Sequence, residues 1–107
     1  MFGLGKNNAA IDEFAATLVQ DFAARFPVEQ QKDLGTNKAK PARNLGKAVV
    51  DIEQKVIAFR DELGLGVYGK ARLLNKVKWQ LHELGYSAEF VDVTIAEVTR
   101  IISKPAV

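Results

Sequence analysis

The chain has 107 residues, enough for one domain that buries roughly two thirds of its unfolded surface without metals or disulfides. Hydrophobic residues make up 48% and charged residues 26%, which excludes wholesale disorder and fibrous repeats, and the absence of cysteine excludes disulfides, thiolate metal ligands and cysteine nucleophiles together. Net charge is +2 but falls in blocks: −2 over residues 1–31, +4 over 32–48, −2 over 49–69, +3 over 70–86 and −1 over 87–107. Such blocks suit either solvated faces or a patterned partner surface.

Taken in chain order, residues 9–26 place Ile11, Phe14, Ala15, Leu18, Phe22 and Phe26 at spacings of three and four, which gathers them into one helical stripe. Asn7 or Asn8 is placed to cap its start, and Pro27 stops it. Its polar face carries Asp12, Glu13, Gln20 and Asp21, the wrong sign for a helix lying on a membrane. Residues 28–40 read as a polar loop holding at most a short helical turn near 28–33.

From Pro41 to Leu63, the residues Leu45, Val49, Ile52, Val56, Phe59 and Leu63 alternate spacings of four and three, the seam of a long bundle helix. Val50 and Ile57 form a narrower second stripe, so this helix is expected to touch neighbours on two sides as a central strut. The seam also offers a route to homo-oligomers, although three other amphipathic helices are available to cover it.

Gly64 and Gly66 end that helix, and a third is predicted over Lys70–Leu84 with Gly85 at its end. Ser87 is placed to cap a fourth, in which Phe90, Val91, Thr94, Ile95, Val98, Ile101 and Ile102 share one arc. The run VDVTI hints at a strand, but alternation fails at Glu97 and Thr99 while the helical period continues to Ile102. The expected fold is therefore all-α, a single-domain bundle of four main helices over residues 1–107, with flexible ends at 1–7 and 104–107.

No continuous apolar run approaches the ~18 residues that a membrane span needs. The N-terminus, MFGLGKNNAAIDEF, lacks the apolar stretch and cleavage site of a secretory signal, so a cytoplasmic location without a membrane partner is expected.

"GLGVYGK", residues 64–70, matches the glycine spacing of dinucleotide-binding turns, but the segment before it belongs to a helical seam and the chain shows no parallel-strand pattern. It reads as a helix stop, a turn and a helix start. His82 is the sole histidine, and Ser87 lies close behind it without a nucleophile-elbow sequence or a third group to orient the imidazole. One histidine and no cysteine leave scattered carboxylates as metal ligands. No catalytic residue, metal site or cofactor is expected.

Trp79 is the one tryptophan, and wound as a helix "LNKVKWQLHELG" turns it away from the stripe of Leu73, Leu74, Val77, Leu81 and Leu84. Three readings stay open: the ring lies under the N-terminal FGLG or the 28–40 loop, it is shielded by the stems of Arg72 and Lys76, or it forms a recognition patch for another protein with Arg72, Lys76, Glu83 and Asn75. The competing reading is nucleic-acid binding through basic segments 32–47 and 70–78, with Lys38, Lys40, Arg43, Lys47, Lys70 and Lys78 as phosphate contacts. Residues 81–95, LHELGYSAEFVDVTI, resemble the helix, loop and helix of ubiquitin-associated domains, with Leu84 where that family has methionine. Over so short a span the resemblance assigns no family; it implies a peptide or protein ligand at the loop formed by Leu84, Gly85 and Tyr86. The function expected is that of a small non-enzymatic binding protein.

Overall fold

A computed structural model describes residues 7–104. They form an all-α bundle of four helices, α1 (Asn8–Arg25), α2 (Lys40–Leu63), α3 (Val67–Leu84) and α4 (Ala88–Ile102), with a 3-10 segment at Val28–Asp33 between the first two. No strand occurs among the described residues, and VDVTI is helical. The expected ends 1–7 and 104–107 lie outside the described residues except for Asn7, whose carbonyl accepts from Ile11 N–H, and Lys104, whose carbonyl accepts from Arg60.

Local chemistry accounts for most boundaries. Pro27 has no N–H to give and closes α1. Gly64 and Gly85 take the left-handed conformation, with φ of 62° and 103°, that satisfies the last carbonyls of α2 and α3. The Ser87 side chain accepts from the Phe90 N–H at 3.1 Å and caps α4. Two boundaries differ from expectation. Helix α3 begins at Val67 rather than Lys70, because Gly66 already has the extended backbone of an N-cap. Asn7 occupies the N-cap position of α1 without a side-chain hydrogen bond, and Asn8 sits inside the first turn with its buried Oδ1 unpartnered.

Helix α1 packs mainly on α3 and α2, and α4 on the same two. Helices α1 and α3 run parallel, in a constant register. Arg72 pairs with Asp12 and Tyr86 bonds Phe26, in both cases sixty positions apart, and Ile11 approaches the backbone of Gly69. That approach is close: a methyl group on Gly69 would meet Leu65 at 2.9 Å and Ile11 at 3.5 Å, so the glycine has a packing reason. Helix α2 runs antiparallel to α1, with Phe14 stacked on Phe59 at 4.0 Å between centroids and Lys55 bridging Asp21 at 2.7 Å and Asp51 at 2.8 Å.

The core collects Ile11, Leu18 and Phe22 from α1, Ile52 and Val56 from α2, Leu73, Val77 and Leu81 from α3, and Val91, Val98 and Ile101 from α4. Three expectations are corrected. Val50 is 54% exposed, so the second stripe of α2 is covered only at Ile57. Leu84, the last residue of α3, is 46% exposed because the helix ends beyond the packed interface. Tyr86 is not a loop residue open to a ligand: it is 3% exposed, clustered with the rings of Phe26 and Phe90, with its hydroxyl donating to the Phe26 carbonyl. Arg60 is also buried, and its guanidinium closes the end of α4 by donating to the carbonyls of Ile102 and Lys104.

Burial, with a smaller contribution from Glu29, pushes the Tyr86 phenol from 10.0 up to about 12. The unfolded chain then loses this proton first, so stability contributed by Tyr86 is complete below pH 10 and is lost as pH rises towards 12, by about 3 kcal/mol. Tyr86→Phe removes one buried hydrogen bond and is expected to cost about 1 kcal/mol at neutral pH. The order is expected to reverse at high pH, where the variant has no phenol to ionise. Urea denaturation of both proteins across the alkaline range checks this, and parallel loss of stability in the two would contradict it.

Candidate functional site

Leu73, Val77 and Leu81 turn inward from α3 and leave the opposite face to Trp79, which is 57% exposed. Its ring is held in place from its own helix. Trp79 Nε1 donates to Asn75 Oδ1 at 3.1 Å, the His82 ring lies 5.7 Å away between centroids, and Lys78 Nζ stands 5.8 Å from the ring centre. These contacts come from positions one to four residues away on one helix, so the indole is braced and still open to solvent.

The other expected patch residues divide. Glu83 is exposed and has no ion-pair partner among the described residues. Arg72 is turned aside: its Nε and Nη2 donate to the two carboxylate oxygens of Asp12 at 2.9 and 2.8 Å, which pins α3 to α1. Lys76 Nζ stands 3.8 Å from the same carboxylate. The Arg72 guanidinium holds the Asp12 carboxyl below its ordinary value, and Asp12 raises Arg72 in turn. Arg72 and Lys76 thus support the platform under Trp79, drawn towards one carboxylate of α1.

The expected phosphate contacts also separate. Lys38 pairs with Asp33 at 3.5 Å, and Lys78 leans over Trp79. Lys70 lies near Gly64 and Lys104, at the far end of α2 from Lys40. Segments 32–47 and 70–78 therefore do not make one basic surface. What remains together is Lys40, Arg43 and Lys47 on the first turns of α2, joined by Arg25 from the end of α1, which the sequence reading did not select.

A third surface was not foreseen. A groove of about 980 Å³ runs between α2, α4 and the 3-10 segment, walled by Leu34, Leu45, Val49, Phe90 and Val93. Leu45 and Val49 belong to the seam, which predicted burial for both. The groove follows the flank of α4 from Ser87 to Arg100, and there Leu45 and Val49 are left partly exposed.

The Ser87 hydroxyl caps α4 and His82 packs beside Trp79. No three acidic or histidine side chains gather as metal ligands among the described residues. No helix among them is long and apolar enough to cross a membrane. Comparison of the chain with protein-family models, with curated proteins and with solved structures gives no match.

An indole this exposed is expected to emit at long wavelength and to be quenched by acrylamide nearly as efficiently as in the urea-unfolded chain. Blue-shifted, protected emission from the folded protein would mean that other residues cover the ring.

Proposed function

We propose that the chain is a non-enzymatic docking protein that holds another protein through the exposed face of α3, with Trp79 as its anchor. The observation that carries this reading is the braced, solvent-facing indole. Tryptophan is enriched among the few residues that dominate interface energies, and one already fixed by Asn75 and its helical neighbours loses little further freedom on binding.

The magnitude is sufficient. A buried tryptophan covers about 200 Å², so burying its exposed half removes about 100 Å² from water. At about 25 cal/mol per Å² that is worth about 3 kcal/mol, or roughly a hundredfold in Kd. Lys78 and Glu83 flank the ring with opposite charges and orient the partner during approach. Arg72 and Lys76 act indirectly, by keeping α3 seated on α1 through Asp12.

Trp79→Ala is expected to leave helicity and thermal stability within about 0.5 kcal/mol of the parent, as surface substitutions do. It is also expected to remove the partner from quantitative affinity capture, in which parent and variant serve as baits side by side. An unchanged set of captured proteins, or cooperative unfolding of the variant, would overturn the proposal.

A further inference from the structure

A different helix carries a second surface. Arg25, Arg43 and Lys47 converge from two helices on one concavity of about 640 Å³, whose floor is Gly46 and Val50. The acid at its edge, Asp51, is already bound by Lys55 at 2.8 Å and approached by Arg25 Nε at 3.6 Å. Lys40, Arg43 and Lys47 follow one another at spacings of three and four, so they share one face of α2, and none has an ion-pair partner among the described residues.

Two features of this face run against the needs of folding. Helices α1, α2 and α3 all lack a first-turn acid and a side-chain cap, but α2 also carries Lys40 at its first position, where the positive end of the helix dipole repels a cation. Gly46 sits inside the helix, where glycine costs stability relative to alanine. Unlike Gly69, it has no packing reason, because a methyl group there would meet nothing within 4 Å. Local rules broken together on one exposed face mark a surface shaped by a ligand. A bare backbone between cations lets a chain of anions lie close to the helix.

We infer that the Lys40–Val50 face of α2, with Arg25, binds the phosphate backbone of nucleic acid. An acidic protein fits less well, since protein partners draw their affinity from desolvated apolar anchors and Val50 is the one large apolar side chain lining the concavity. A row of long, unpaired cations instead suits counterion release from a phosphate chain. The amide of Gln54 also lines the concavity, and the Asn44 amide donates to Gln30 at 2.9 Å.

Anisotropy of a labelled random-sequence DNA duplex, titrated with the full chain between about 50 and 200 mM salt, tests this. Four phosphate contacts are expected to give a log–log slope of about −3.6, and the double variant Arg43→Gln/Lys47→Gln a slope shallower by about 1.8. Lys70→Gln/Lys104→Gln, at the other end of α2, is expected to leave the slope unchanged, as is Trp79→Ala. Gly46→Ala is expected to raise Tm yet weaken binding several-fold, which separates the site from stability. Absence of binding at the lowest salt, an unchanged slope in the Arg43/Lys47 variant, or competition by polyglutamate as strong as by unlabelled duplex would overturn the inference.

Discussion

The hydroxyl of Tyr86 donates to the carbonyl of Phe26, and through that bond the end of α1 is tied to the turn between α3 and α4. Pro27 stops α1 and leaves this carbonyl at a helix end, where it needs a partner once it is buried. Gly85 supplies the partner by taking φ of 103°, a conformation costly for other residues, which swings Tyr86 inward. Phe90 then closes over Tyr86 at 5.2 Å and Phe26 at 5.5 Å between centroids, so α4 joins at the same point. At the opposite end Gly69 admits Ile11 and Leu65, and Asp12 clamps Arg72. Two parallel helices held at both ends have one register, and the other two pack against that pair.

The outer surfaces follow from this frame. With Leu73, Val77 and Leu81 committed inward, the remaining arc of α3 must face solvent, and Trp79 lies on it. Because Asp12 draws Arg72 and Lys76 away, nothing from α1 covers the indole. Arg60 fixes where α4 ends against α2, and along the flank of α4 a groove remains in which Leu45 and Val49 stay partly exposed.

Periodicity and punctuation were enough to read the four helices, the seam and the Ser87 cap, since each depends on residues within one or two turns. The exposure of Trp79 was legible for the same reason, as an angle on a helical wheel. What the sequence hid depends on contacts between residues far apart. Tyr86 sits in a loop pattern that suggests an open surface, and only the approach of Phe26, sixty positions away, makes it core. Arg72 and Asp12 each look like a solvated charge until α1 and α3 lie side by side. Arg60 interrupts the apolar face of α2 and gains its meaning from the end of α4. The groove was invisible because it depends on how α2, α4 and the 3-10 segment pack, and the third helix begins early because Gly66, not Ser or Asp, serves as its cap.

Accounting for the cations separates folding from other demands. Lys55 joins α1 to α2, Arg60 closes α4, Arg72 and Lys76 converge on Asp12, Lys38 holds its loop through Asp33, and Arg100 pairs with Glu97 within α4. Each has a partner that the fold places there. Lys40, Arg43 and Lys47 have none among the described residues, and unlike Lys32, Lys70, Lys78 and Lys104, which also lack an ion pair, they stand together on one helix face, with Lys40 in the first turn where the dipole repels it. Moving one of them to the end of α2 would serve the helix dipole better, and alanine in place of Gly46 would serve the helix interior better. Arg25 and Arg60 suit the closing ends of α1 and α2 and Ser87 caps α4, whereas this face departs from such placement with a row of cations and an interior glycine along the start of α2. Folding alone supplies no reason for that departure, whereas a polyanion lying against the face turns both the repulsion and the missing side chain into attraction and access.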